Sequence, residues 1–517
     1  MLFRPLVGNT LVVLLVLVSV IIEMGLYKKV FKRAVERQVV DHVRSQEDRN
    51  RTDSDLRVLS RDGYITGVYY SNWSPYSPRM HFPHDIDIGK VSHVYYAFFL
   101  VDGETGGVKS GDEWSDTGMD LYKGLAVKMR KLEGDESDVG VLPRGCLGEF
   151  FYLRHANVSR ERDSRNFKVV MCVGGWSNRD EFPRMVRDPS RIDVFVNSCI
   201  ETMFKYGFDG MELDWEFPED DGYEPQAYLE VTRRLREKMD ELEAQIFGSA
   251  KDHPKFHLSV ATPAFSEKLK ILPIKEMDQY VDIWNMMTYD YYGEWSEKTG
   301  YHSNLFDGSQ GAQDSFERKH MYASEDNEGL NGDSAIQYML KDVGIDSHKV
   351  CLGMAAYGRG FKHVDAKSFN GRFIDKKFRG VGGASEGEKG MWLYNQLPIK
   401  GSQEIFDPEY GSAFCYDAKH KTFVGYDNVD SVRMKAQYVK EKNLAGGFWW
   451  ESCGDDHNNS SRSLLNAFTE EIRSIKKPDT LMYRQSQVLR FYIEKFGTDG
   501  YLSPFMERIL QSEEPLD

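Results

Sequence analysis

From Gly63 to about Ile475 the chain alternates short, nearly unbroken apolar runs with longer segments whose apolar residues recur at helical spacing. The runs are Tyr64–Tyr70, Val91–Leu100, Lys168–Val173, Gly207–Leu213, Phe256–Ala261, Val281–Met287, Lys349–Met354 and Ala445–Trp449, eight in all. Strands of this kind, apolar on both faces, are those of a parallel sheet covered on both sides. Segments such as Arg191–Tyr206 and Pro225–Ile246 have the amphipathic period of the helices that would cover it. Eight strands alternating with helices predict an α/β fold, a (β/α)8 TIM barrel. One connection breaks the rhythm. Between the seventh strand and the helix that should follow it, residues from about 360 to 426 are too many for one helix and include "RGVGGASEGEKGMWLYNQL". This stretch reads as an inserted small α+β lobe that walls one side of a cleft.

The two ends have other patterns. Leu11 to Ile22, "LVVLLVLVSVII", is continuously apolar. A helix of that length spans about 18 Å, short of a hydrocarbon core of about 30 Å. Extension from Leu6 to Tyr27 supplies the length but includes Asn9 and Glu23. Residues 1–27 therefore read as a signal peptide or an uncleaved signal anchor, with a buried helix as the third reading. Lys28, Lys29, Lys32 and Arg33 follow the segment, against Arg4 before it, and this bias opposes export of the downstream part. Residues 28–61 are charged, poor in aromatics and read as a linker. The barrel then occupies 62–475, and a tail, 476–517, carries "SQVLRFYIEKF", an amphipathic pattern suited to packing on the barrel. Sequons at Asn50, Asn157, Asn458 and Asn459 agree with a secretory route, ending secreted or membrane-anchored.

Composition narrows the partners. A net charge of −15 argues against nucleic acid or anionic lipid as the main partner, and a monomer is expected. The six cysteines have no CxxC pair and no metal-ligand spacing. Cys172 and Cys351 lie inside strand-like runs, where a free thiol acts as a small hydrophobe.

The candidate chemistry is concentrated in "FDGMELDWEFPED", Phe208 to Asp220. On a strand, Glu212, Asp214 and Glu216 share one face, and Met211, Leu213 and Trp215 share the other. The acidic face must look into a polar cavity, because isolated buried carboxylates are costly. Carboxylates so close cannot all ionise freely, so at least one is held protonated toward neutral pH, as a general acid requires.

In a barrel, chemistry sits at the C-terminal strand ends, and the other notable side chains fall there. The first strand ends with Trp73, the third with Gly174, Gly175 and Trp176, the sixth with Met287, Tyr289 and Asp290, and the eighth with Trp450. Carboxylates ringed by aromatics suit sugar rings, whose apolar faces stack while an acid protonates the glycosidic oxygen. A structural salt-bridge cluster is the plain alternative. A divalent-metal site is another, but it would want hard oxygen ligands where this chain supplies Trp, Tyr and Met.

These residues resemble glycoside hydrolase family 18, the chitinases, and most closely their fungal type. The family pattern DGxDxDxE is matched by Asp209, Gly210, Asp214 and Glu216, and "CVGG", "MTYD", "GMAAYGRGF", "DEWSD" and "GGFWWES" follow the family order over about residues 62–470. The resemblance implies hydrolysis of chitin or chito-oligosaccharides with retention, no cofactor and no metal. The substrate's own acetamide, not a protein group, would be the nucleophile. Glu216 would be the general acid and then the base. Asp214 would orient the acetamide, Tyr289 would hydrogen-bond its oxygen, and Asp290 would contact the same sugar. Trp450 would floor the subsite. Glu113, Trp114, Tyr69, Trp73, Phe98, Gly174, Gly175, Trp176, Ser177, Phe217, Met287 and Thr288 would line it and its neighbours.

Two departures stand out. Glu212 replaces the family's aspartate, which shares a proton with the middle acid; its extra methylene reaches roughly 1.5 Å further. Cys172 replaces a serine and is a weaker donor beneath the carboxylates. The rival functions are a non-enzymatic chitin-binding protein, which would lack the acid at 216, a hydrolase releasing N-glycans from protein, and a metal-dependent barrel enzyme. The N-terminal apolar segment, without a recognisable chitin-binding module, points to remodelling of the cell's own wall.

Overall fold

The computed structural model describes residues 63–121, 143–155, 166–250, 252–308, 329–364, 372–385, 388–480, 483, 485–504 and 506. The expected signal or anchor segment, the linker and the sequons at Asn50 and Asn157 lie outside them. Among the described residues, no helix is long and apolar enough to cross a membrane.

The eight apolar runs form eight strands: β1 (Ile65–Ser71), β2 (His93–Val101), β3 (Lys168–Gly174), β4 (Gly210–Asp214), β5 (His257–Thr262), β6 (Ile283–Met286), β7 (Val350–Ala355) and β8 (Gly446–Trp450). Each pairs in parallel with its neighbours, and β8 returns to β1, with Gly67 opposite Phe448 and also opposite His93 of β2. The sheet is thus a closed barrel. Its strands are buried on both faces, which is why they read as continuous apolar runs. Alternate residues build two cores. Tyr69, Tyr95, Val170, Cys172, Cys351 and Phe448 fill the barrel, while Val68, Tyr70, Val94, Met171, Met211 and Leu213 face the helices.

The covering helices follow from local sequence. Asp188 accepts from the Ser190 amide ahead of α2 (Pro189–Lys205), whose Pro189 needs no donor partner in the first turn. Ile192, Phe195, Val196, Cys199 and Met203 make its buried face. It packs beside α3 (Glu224–Phe247), while α1 (Gly145–His155) precedes β3.

The lobe begins at Tyr357, slightly earlier than the sequence pattern placed it. Strands 381–382, 357–361, 422–426, 412–417 and 404–407 form an antiparallel sheet in that order, with 391–393 pairing on 357–361. Among its described residues the lobe holds no α-helix, only a single-turn 3-10 segment at Tyr394–Gln396. The lobe's central strands are buried on both faces, with Cys415, Val424 and Tyr426 on one side and Phe414 and Phe423 on the other. A two-residue hairpin, Ala384–Ser385 with Glu388–Lys389, projects from it. Helix α4 (Val429–Glu441) then leads back to β8, and the buried Lys435 on it donates to Asp427 at 2.6 Å and to the Ser303 carbonyl at 2.6 Å.

After α5 (Leu464–Ile472) the tail forms α6 (Ser486–Phe496), with Val488, Leu489 and Tyr492 buried. Tyr483 Oη donates to the Phe208 carbonyl at 2.9 Å, and Tyr492 Oη to the Lys205 carbonyl at 2.6 Å. The tail therefore braces the turn that leads into β4. All six cysteines are buried and free.

Candidate active site

The acidic line of β4 points inward as strand alternation requires. Glu212 and Asp214 are buried on the barrel's inner face, and Glu216 is half-buried two residues beyond the strand end. Leu213 and Trp215 face the helices, where Trp215 stacks on Phe182 at 5.2 Å.

Glu212 lies deepest. Tyr69 Oη donates to its Oε2 at 2.5 Å and Cys172 Sγ to the same oxygen at 3.3 Å. Ser259 Oγ donates to Oε1 at 3.0 Å and Asn285 Nδ2 to the same oxygen at 2.6 Å. The donors come from β1, β3, β5 and β6, and strand register puts Cys172 and Ser259 directly opposite Glu212. Burial pushes the Glu212 carboxyl above its ordinary value, and these four donors pull against that rise.

Asp214 has no such company. Its Oδ1 is buried and no donor reaches it. Burial first, then the charges of Glu216 and Glu212, raise it well above its ordinary value. Glu216 is pushed up to about 7, chiefly by loss of water, then by the charge of Asp290, against the pull of the Trp176 backbone N–H and of Arg179. Tyr289 is buried, and its phenol is raised by burial and by the nearby Asp214 and Glu216. Two carboxyls that hold protons toward neutrality, flanked by a phenol that stays protonated, constitute an acid–base site.

Asp290 behaves oppositely. Burial alone would raise it, but the Arg359 guanidinium and His302 hold it well below the carboxylate range. Arg359 Nε donates to Asp290 Oδ1 at 2.6 Å, Tyr357 Oη donates to the same oxygen at 2.6 Å, and His302 Nδ1 lies 3.5 Å away. Arg359 also pairs with Glu388 of the lobe hairpin at 2.8 Å, and its guanidinium sits 4.8 Å from the Trp295 ring centroid. Asp290 has positive φ, 62°, a left-handed conformation that aspartate tolerates better than most residues.

The aromatics form a floor. Trp450 stacks on Phe98 at 5.7 Å and 23°, and touches Tyr69 at 5.3 Å and Trp73 at 6.3 Å. Tyr69 itself is buried, committed to Glu212 below that floor. The glycine pair makes room. A Cβ on Gly174 (φ +123°) would lie 2.2 Å from the Asp214 carbonyl oxygen, and one on Gly175 (φ +84°) 2.6 Å from the Phe98 ring.

The remaining expected residues fall into two groups. Trp114 and Trp176 are 60% and 58% exposed, with Glu113 and Ser177 exposed beside them. Trp176 carries Arg179 over its ring at 4.2 Å. Phe217 and Met287 are half-buried at the rim. Thr288 is buried, its hydroxyl donating to the Gly353 carbonyl at 2.6 Å, a tie between β6 and β7. Among the described residues no cluster of histidine, cysteine and acidic side chains could hold a metal ion.

Ser259, Asn285, His302, Tyr357, Arg359, Glu388 and the 59%-exposed Trp295 were not singled out from sequence. Tyr357 and Arg359 lie within "GMAAYGRGF", a legible signal, whereas Asn285 shares its apolar run with Asp282 and is not marked out by polarity alone.

Comparison with known proteins extends this picture. Residues 65–455 match the family described as Glycosyl hydrolases family 18. The chain is 45% identical over 516 residues to the sporulation-specific chitinase 2 of Saccharomyces cerevisiae, covering 96% of each chain. It is 31% identical over 396 residues to endochitinase 1 of Metarhizium robertsii, covering 76% of this chain and 82% of the relative. Among solved structures, the catalytic domain of psychrophilic chitinase B from Arthrobacter TAD20 superposes with a TM-score of 0.64 at 21% identity, covering 80% of this chain and 98% of that one. At that identity the likeness speaks for the barrel alone.

Proposed function

The chain belongs to family 18 of the glycosyl hydrolases, and from that premise we propose that it is an endo-acting chitinase, cleaving β-1,4 bonds between N-acetylglucosamine units with retention of configuration. The observation that carries this reading is Glu216, a carboxyl pushed up to about 7 and half-buried at a strand end, beside Asp214 and Tyr289 in a cleft with a tryptophan floor. A group titrating there is an acid in the resting enzyme and a competent base after the first step. Glu216 gives its proton to the oxygen between two sugars, and the bond from that oxygen to C1 breaks. The acetamido oxygen of the same sugar closes on C1, forming an oxazolinium ion. Asp214 accepts the acetamide N–H and offsets the developing positive charge, while Tyr289 donates to the acetamide oxygen. Water then attacks C1, the bond from C1 to the acetamido oxygen breaks and the neutral acetamide is restored, and the water yields its proton to Glu216, restoring the acid. Sugar stacking on Trp450 holds the ring over the carboxyls.

The N-terminal apolar segment Leu11–Ile22 is the ground for a role in remodelling the cell's own wall, reached through the secretory pathway; one relative is named as a sporulation-specific chitinase. The acid at 216 favours an enzyme over a binding-only protein. The decisive test is hydrolysis of chitotetraose by wild type and Glu216→Gln, with the anomer of the first product followed by NMR. Wild type should release the β-anomer first, and the variant should bind the oligomer but cleave it about 10²- to 10⁴-fold more slowly. Release of N-glycans from a glycoprotein without chitotetraose cleavage would replace this reading with the rival one.

A further inference from the structure

A carboxylate offers about four lone-pair positions, two on each oxygen. In Glu212 all four are taken: Tyr69 and Cys172 on Oε2, Ser259 and Asn285 on Oε1. No position is left to accept a proton from Asp214. The family resemblance implied the reverse, a first acid that shares its proton with the middle one. Here the Glu212 carboxylate, one methylene longer, meets the Ser259 and Asn285 donors on β5 and β6. Asp214 is left with a buried Oδ1 that no donor reaches, and the charge that bears on it most is that of Glu216.

We propose that Ser259 and Asn285 are positioning residues that fill the Oε1 acceptor positions of Glu212, so that the resting proton is shared between Asp214 and Glu216 and not between Asp214 and Glu212. This rests on the chitinase reading above. Its consequence is a catalytic pair that begins already engaged, with no need for Asp214 to turn away from Glu212 when substrate arrives. An ionised Glu212 also holds the proton on the pair: its loss would leave three negative carboxyls in one line, so the pair stays protonated to higher pH than two acids alone.

The groups facing this triad come from every wall. Tyr69 and Tyr95 approach from β1 and β2, Cys172 from β3, Cys351 from β7, and Tyr289 and Asp290 from β6 and its end. Arg179 follows β3, Tyr228 lies on α3, and Glu388 is on the lobe hairpin. The phenols and thiols are all raised by burial, and the variants below leave Asp290, Arg179 and Glu388 in place.

The test is the pH dependence of kcat/KM on chitotetraose for wild type, Asn285→Ala, Ser259→Ala, Glu212→Asp and the double variant Glu212→Asp/Asn285→Ala, with melting temperatures measured alongside. Freeing a lone pair on Glu212 lets Asp214 turn its proton there, and Glu216 then loses its own proton at lower pH. The alkaline limb should therefore move acidward in each single variant, by about one pH unit, the scale of one neighbouring charge. Because Glu212→Asp already withdraws the carboxylate from Asn285, the double variant should match Glu212→Asp alone. If Asn285→Ala lowers melting temperature and activity equally at every pH, or if its shift adds in full to that of Glu212→Asp, the proposal is overturned. Should Asn285→Ala not fold, Ser259→Ala and Glu212→Asp carry the same comparison. Wild type that leaves chitotetraose intact at every pH would instead remove the chitinase reading.

Discussion

Arg359 donates from Nε to Asp290 Oδ1 at 2.6 Å, a bond between the first strand of the inserted lobe and the end of the sixth barrel strand. The same guanidinium pairs with Glu388 and lies against Trp295, so one cation fixes an acid beside Glu216, a hairpin and an exposed aromatic together. Removing it leaves Asp290 without its main counter-charge and frees the Trp295 ring. Arg359→Met should lower kcat on chitotetraose about 100-fold, the scale of a small misplacement at the reacting centre. Arg359→Lys should recover only part, since an ammonium cannot copy a fork that reaches two carboxylates. Steady-state kinetics on both variants decide this; full activity in Arg359→Met would mean that the lobe contact is dispensable.

Glu216 makes a second expectation, in which activity and its contribution to stability both fall as pH rises. In the proposed mechanism its acid form is the active one, so kcat/KM should fall as the pH rises through about 7. Its folded pKa is raised above the ordinary 4.5, so its contribution to stability is complete below 4.5 and is lost as pH rises through about 7. Glu216→Gln, neutral throughout, should melt no higher than wild type at pH 4.5 but distinctly higher at pH 8. Calorimetry at both values checks this, and parallel melting curves would place the carboxyl in water.

Much of this was legible in the chain and some was not, for physical reasons. Short apolar runs alternating with amphipathic helical segments read as strands covered on both faces, and all eight form in order. The period-two acids announced their shared face because alternation is a local property. Arg359 and Asp290 lie 69 residues apart, and nothing local says that the lobe folds its first strand back over the sixth strand end. Ser259 and Asn285 were hidden likewise, since a polar residue in an apolar run declares burial but not its partner. That the lobe's described residues are sheet was not legible, because its glycine-rich stretches carry little periodicity from which to judge.

The Gly175–Phe98 contact tests the aromatic floor without touching it. Phe98 stacks on Trp450, and a Cβ at Gly175 would meet the Phe98 ring at 2.6 Å while φ +84° strains any other residue. Gly175→Ala should raise KM for chitotetraose about tenfold, the scale of one aromatic contact, with a smaller effect on kcat. Trp450→Ala should do the same, and the double variant should add little to either. Independent, additive losses would show that Phe98 does not position the tryptophan.

The opposite end of the barrel has a titration of its own. His93 and His257 are buried at the N-terminal ends of β2 and β5 with rings 5.3 Å apart, and Lys168 and Lys476 are close enough to repel further charge. Burial, then these neighbours, hold both imidazoles well below their ordinary 6.5. The unfolded chain takes up protons below pH 6.5 that the folded chain refuses. Stability is therefore complete above 6.5 and declines as pH falls, by about 1.4 kcal/mol per pH unit for each histidine. His257 Nε2 has no hydrogen-bond partner, so an apolar side chain there forfeits no bond through that atom. His257→Leu should flatten the loss of melting temperature between pH 7 and pH 5 while leaving the pH profile of catalysis at the far end of the barrel unchanged. Equal acid sensitivity in the variant and wild type would assign the decline to the carboxylates instead.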